Sequence, residues 1–282
     1  MKKIYIALLC LFVTSISFAQ ALKPADKIKL ANGQKIIVES TTTIEASLTM
    51  GMELNSNSTT VNALEVKSST DKDYTISNTL TKLKVNMNMM GQANNYDSEN
   101  KNGNNEEMSK VFDERLNKAV DVVVDNTNGI AVTDKKKTKS PEAEESNPAD
   151  DLMRMFSDNS DDALVSGAFE IVPKGKSVGD SWSDTTKTKE MNTIRIYTLK
   201  SLTGTEATIQ ADVITTAVNK LNFQEMEFEV KSETKTKGEI LSDINTALVK
   251  KRTTNAEITG SIQMMGQDMP ISAKSTAIIT YQ

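Results

Sequence analysis

The sequence predicts a mainly β protein: a curved antiparallel sheet or open half-barrel with two or three short helices. Three observations lead there. Apolar and polar residues alternate with period two through most of the chain, the mark of strands with one buried face. The polar positions are filled largely by Thr, Ser and Lys, and Gly or Asn punctuates the runs. A helical period appears only in short windows.

The first element is not part of the fold. Residues 1–19, MKKIYIALLCLFVTSISFA, join a basic start to an apolar stretch and a small-x-small site before Gln20. This reads as a secretory signal peptide, cleaved after Ala19, whose apolar core is too short for a transmembrane helix. Leu8-Leu9-Cys10 has the outline of a lipoprotein box, but the apolar run continues well past Cys10. No later segment approaches the ~20 apolar residues of a membrane span, so a secreted or periplasmic protein that does not span the membrane is expected.

Cleavage would remove the one cysteine, and the chain contains no histidine. Disulfides, ordinary zinc sites and nucleophile systems built on His are thereby excluded from the mature chain. No cofactor or metal is expected. At about 260 residues the remainder is long enough to rely on burial. The net charge of −5 becomes more negative without Lys2 and Lys3. That balance argues against nucleic acid as a partner, which wants a basic footprint.

From Ile36 to Leu54 the even positions form one apolar-biased face, too long for an ordinary strand, so a bend or break is expected near Gly51. Further strands are expected at Val61–Ser69, Tyr74–Met90, Val120–Val124, Ile130–Thr133 and Trp182–Lys189. Those of the second half are Thr193–Lys200, Ala207–Thr216, Glu225–Lys235, Glu239–Leu241, Ala247–Met264 and Met269–Tyr281. Asn128-Gly129 predicts a type I′ hairpin turn, and Gly204 and Gly238 predict turns as well. Helices are expected after an Asn104 cap with Glu107 three residues on, after Asn147-Pro148, and from Ser160. Residues 134–148, DKKKTKSPEAEESNP, read as a solvated linker joining two strand-rich halves, 20–133 and 149–282, of a single domain.

From Tyr74 onward, the strand into MMGQANNYDS, the helix KVFDERLNK, and the stretches DVVVDNTNGIAVTD, IVPKGKSVGDSW and KGEILSDINTALVKKRTT follow in order. This succession resembles an uncharacterised family of secreted and envelope-associated bacterial proteins, known only as a domain of unknown function. The resemblance implies an all-β extracytoplasmic module with a few helices and brings no activity with it. At the level of fold alone it also looks like bacterial lipid-carrying half-barrels.

Glu225, Glu227 and Glu229 alternate with apolar residues, which suits the solvated side of a strand better than a catalytic pair. Asp158, Asp161 and Asp162 lack the spacing and glycine of a calcium loop and suit a helix start. The Asn-rich stretch QANNYDSENKNGNNEE reads as a loop. The methionines are more suggestive, because Met-Met-Gly-Gln occurs twice, at 89–92 and 264–267. Unbranched thioethers repack around apolar molecules of varied shape. Met50, Met52, Met87, Met89, Met264 and Met269, with the sole tryptophan Trp182, are therefore the candidate contacts for an apolar small molecule or lipid on the inner face. In the alternative reading, the protein is a non-enzymatic envelope structural or protein-interaction module, and the same residues are closed core.

Overall fold

The computed structural model describes residues 24–48, 51–89, 91–132, 161–223, 226–264 and 267–282. The expected signal peptide, the expected linker 134–148, the helix expected after Asn147, and the residues Met50, Asp158 and Ser160 lie outside them. The strands are β1 (Lys35–Ser47), β2 (Glu53–Ser69), β3 (Asp73–Met89), β4 (Gln92–Asp97), β5 (Ala119–Asp125) and β6 (Ser181–Lys187). They continue as β7 (Met191–Thr203), β8 (Glu206–Phe223), β9 (Met226–Asp243), β10 (Val249–Met264) and β11 (Gln267–Tyr281). Two helices are described, α1 (Glu106–Arg115) and α2 (Asp161–Ser166).

All eleven strands form one antiparallel sheet in the order β4-β3-β2-β1-β11-β10-β9-β8-β7-β6, with β5 also paired to β3. Each half is a meander, and the β1–β11 ladder, from Val38↔Tyr281 to Ser47↔Ser272, joins them. The sheet does not close. β6 is one edge, while β4 and β5 share the other, β5 along the first part of β3 and β4 along its last part.

Two short crossings show how far the sheet curls. Ser166 Oγ accepts from Ala131 N at 3.0 Å beside β5, and two residues on, Ala168 O accepts from Val249 N of β10 at 2.9 Å. Five strand spacings separate β5 from β10, roughly 24 Å if flat, whereas two residues reach at most about 7 Å. Residues 25–29 make a second crossing, with Ala25 N on Ile244 O and Ile28 N on Asn126 O, both 2.7 Å. The result is an open half-barrel drawn together at one end. Irregular registers at Val61/Asn62, Val66/Ser68, Leu199/Ser201 and Val249/Lys251 add local bend.

The alternation seen in the sequence is the burial pattern of the strands. In β1 every even position from Ile36 to Ala46 is buried and every odd one exposed. The inner face carries two apolar clusters. The first, at the drawn-together end, gathers Val38, Ile76, Val124, Val165, Leu199, Ile209 and Ile240 with their neighbours. The second gathers Ile44, Leu54, Val85, Met87, Tyr96, Met108, Val230, Ile258 and Ile271. α1 seals one side of it: Met108 is buried, Phe112 tilts against Tyr96 at 5.1 Å, and Tyr96 donates to Asp113 at 2.7 Å.

Several expectations change in detail. The break near Gly51 is there, but it is a hairpin (Gly51 φ 72°), and β2 begins at Glu53 instead of Val61. The Asn-rich stretch contains a strand, β4, anchored by buried Tyr96. Gly238 is no turn. It lies inside the continuous β9, where a Cβ would come within 3.1 Å of Thr253 O on β10. The cap of α1 is Asn105, whose side chain accepts from Glu107 N and Met108 N, while Asn104 instead bonds Asp97. At 125–130 the loop is a wider turn with Gly129 N on Asp125 O, and Gly129 but not Asn128 has positive φ. Beyond it, only Ala131 makes a bridge, to Val124.

Candidate functional site on the inner face

The structure separates the predicted contacts. Met87 is buried in the second cluster, and Met52 and Met89 pack against it. Met269 is half-buried on β11, in register with Ile262. Met50 and the side chain of Met264 lie outside the described residues. Trp182 belongs to the other cluster, where it stacks on its cross-strand partner Tyr197 at 5.6 Å. Met87 and Trp182 therefore do not form one patch. Alternation reveals which face a residue occupies but not which end of a long sheet.

A different surface emerges from the ladder. On the inner face of β8, β9 and β10 the central positions are Val213, Thr215, Thr236, Thr234, Thr254 and Ala256, all half-buried. Their counterparts on β1 and β2, Ser40, Thr42 and Ser58, are only 7–8% exposed. The two described helices lie on that half of the sheet, α1 against β4 and α2 against β5 and β3. Small side chains with no described helix stacked over them leave a shallow trough among the described residues. At the far end of these strands an open concavity of about 560 Å³ is bordered from both faces, by Met191, Ala217, Ser232 and Gly260 of the inner face and by Thr216, Val218, Lys231 and Thr259 of the outer.

Charged groups lie at the near end of the trough, around Arg252, and along its β7 side, where Arg195 is in the row of Val213, Thr236 and Ala256. Arg195 on β7 pairs with Asp184 on β6 at 2.9 Å and donates to Thr186 Oγ1 at 3.0 Å. Arg252 on β10 reaches Glu170 Oε2 at 3.4 Å and Gly167 O at 3.3 Å. Burial pushes the Glu170 carboxyl up to about 7 in spite of the attraction of Arg252. Tyr197 lies in the field of Glu170, Asp184, Arg252 and Arg195, and its hydroxyl is raised chiefly by burial. Tyr281, 4% exposed, is pushed by burial up to about 12. Both Arg252 Nε and the Tyr281 hydroxyl are buried without a hydrogen-bond partner among the described residues.

None of Glu170, Arg252, Tyr197 and Tyr281 stands out as a motif, because the partners are far apart in sequence. A signal is present nonetheless. Glu170 interrupts the apolar run AFEIV, and Arg252 falls in phase with the inner face of β10. A charge in phase with a buried face requires a partner.

Of the other acidic candidates, Asp158, Glu225 and the side chain of Glu227 lie outside the described residues. Asp161 accepts from Asn78 Nδ2 at 2.7 Å at the start of α2, and Glu229 pairs with Lys231 at 3.1 Å. No helix among the described residues is long and apolar enough to cross a membrane.

Fold and inner face together define a mainly β open half-barrel with a charged cluster at one end of its concave side. The chain belongs to a family of unknown function, DUF6263, whose model matches residues 71–249. No curated protein matches it in sequence. Among solved structures it is similar to lipovitellin, at 11% identity over 90% of this chain and 25% of that one, with a TM-score of 0.49. It thus spans a quarter of the lipovitellin chain. It is also similar to Pseudomonas aeruginosa OccK5 (OpdH), at 6% identity over 89% and 98% of the two chains, with a TM-score of 0.24. For OpdQ of the same organism the values are 4%, 90%, 99% and 0.22.

Proposed function

We propose that the protein is an extracytoplasmic, non-enzymatic binding protein that holds an apolar or lipid-like molecule along the inner face of β7–β10. The observation that carries this reading is the contrast within one sheet. The inner face of β8–β10 is half-open where the equivalent band of β1 and β2 is buried. A sheet that needed its concave side only as core would have that side covered throughout. The trough runs from the charged cluster to the second apolar cluster, so it offers a polar and an apolar end. The N-terminal sequence supports export, and the lack of histidine supports a role other than catalysis.

Native mass spectrometry of the purified protein, followed by solvent extraction of what it carries, tests the proposal. An adduct of a lipid-like mass and enhancement of an apolar fluorescent probe are expected. A protein that arrives empty and leaves the probe unchanged would refute it.

A second reading rests on the outer face. There Ile194 and Ile214, directly opposed on β7 and β8, and Ile196 are 39–46% exposed, which suits a protein-interaction module. In that case Ile194→Thr with Ile214→Thr abolishes an assembly detected by light scattering and leaves probe binding intact.

A further inference from the structure

We propose that Arg252 and Tyr281, with Tyr197 in the wall beside them, form the receptor for a carboxylate head group, which makes the ligand a fatty-acid-like amphiphile whose chain follows the trough. The inference rests on the binding reading above and assigns its ligand class.

The first support is what the cluster lacks. Among the described residues four buried side-chain atoms have no hydrogen-bond partner, and two of them, Arg252 Nε and the Tyr281 hydroxyl, meet here. Their proximity is set by Gly167. Arg252 donates to its carbonyl at 3.3 Å, and a Cβ on Gly167 would stand 3.0 Å from the Tyr281 oxygen. Arg Nε can only donate, and a tyrosine hydroxyl donates readily. Two unused donors around the same glycine call for an acceptor. A carboxylate supplies two oxygens in the fork geometry that a guanidinium matches.

The second support is that the cation is loosely neutralised. The one carboxylate on Arg252 is Glu170, at a long 3.4 Å, and burial makes that group hold its proton to near neutral pH. With Glu170 protonated, Arg252 keeps a positive charge that an incoming anion can pair with. The groups around it, Glu170, Asp184 and Arg195, include two carboxyls. They disfavour a doubly charged head such as a phosphate monoester and tolerate a single charge.

The third support is access. The two donor atoms are covered in the free protein, but Arg252 leaves 21% of its side chain exposed and Arg195 32%, while Trp182 and Tyr197 stack as a wall beside them. From Arg252, β10 presents Thr254, Ala256 and then Ile258 on the same face. Along β10, polarity thus falls away from Arg252 as an amphiphile requires. A ligand carboxylate on Arg252 also raises the proton affinity of Glu170, so binding near pH 7 takes up a proton.

The test compares oleate with methyl oleate by titration calorimetry at pH 7, below their aggregation limits and in two buffers of different ionisation enthalpy. Oleate is expected to bind at least tenfold tighter than the ester, with proton uptake. Tyr281→Phe deletes a hydroxyl that bonds nothing in the free protein. It should leave the melting temperature unchanged or raise it while weakening oleate about tenfold and the ester little. Arg252→Gln paired with Glu170→Gln, which removes both charges together, should erase the preference for the acid. Equal binding of acid and ester, or Tyr281→Phe binding oleate as the wild type does, overturns the carboxylate receptor and leaves the binding reading intact. Failure of both probes to bind overturns both.

Discussion

Glu170→Gln offers a quantitative test of the buried cluster that needs no ligand. Folding moves the Glu170 carboxyl from an ordinary 4.5 to about 7, because burial outweighs its partner Arg252. Between those values the folded protein holds a proton that the unfolded chain has released. Stability therefore falls as pH rises through this window and levels off above it. A displacement of this size corresponds to roughly 3 kcal/mol at most. Other carboxyls do not mask the effect. Asp113, held low by Tyr96, and Asp125, held low by Thr127, titrate on the acid side of their ordinary value. Their contributions are lost only on acidification below about pH 4. Urea unfolding followed by circular dichroism from pH 5 to pH 8.5 should show the wild-type midpoint declining with pH. Glu170→Gln keeps the shape and a neutral head, so its profile should be flat and its stability at pH 8 higher than wild type by ~2–3 kcal/mol. A wild-type midpoint that rises across this range, or a variant less stable than wild type at pH 8, would refute the placement of a buried, weakly paired carboxyl at 170.

Three further outcomes follow from the fold. Gly260→Ala places a Cβ 2.2 Å from Lys231 O on the neighbouring strand. Chemical denaturation should show a loss of about 1–3 kcal/mol or more, against a loss of about 1–2 kcal/mol for Gly51→Ala, which has open space but a φ of 72°. Ile76→Ala, fully buried in the first cluster, should cost about 2–5 kcal/mol in the same assay. Asn105→Ala removes both cap bonds of α1 and should cost about 1 kcal/mol. Asn104→Ala leaves the cap intact and instead loosens Asp97 at the end of β4, visible as faster amide exchange there.

Much of the sheet was legible because strand burial is a local, period-two property. Ile36 to Ala46 announces β1 residue by residue, and Met269 to Tyr281 announces most of β11. β4 escaped because in QANNYD only Tyr96 is large and apolar, and one residue makes no period. The interruption read at Gly238 came from treating glycine as punctuation, whereas here it permits close approach of β9 to β10. The cap of α1 was displaced by one because Asn104 and Asn105 are chemically alike and only the turn geometry separates them. The charged cluster was the least legible part. Glu170 and Arg252 stand 82 residues apart, and nothing local says that the loop after α2 folds back on β10. The methionine site shows the converse limit: composition marked those residues as adaptable, but their place along the sheet depends on strand register.

The seam between β1 and β11 has a consequence for how the chain is made. Its paired residues, such as Val38 and Tyr281, lie at opposite ends of the sequence, yet the ladder sits near the middle of the sheet. Each meander can form from neighbouring hairpins, but their union waits for the last strand. Until β11 docks, β1 offers a long bare edge, the kind of surface that recruits strands from other molecules. Joining such distant segments is also entropically slow. Folding should therefore be limited by the meeting of two preformed halves. A chain cut between β5 and α2 should then reassemble from its two fragments, whereas one cut within β1 or β11 should aggregate.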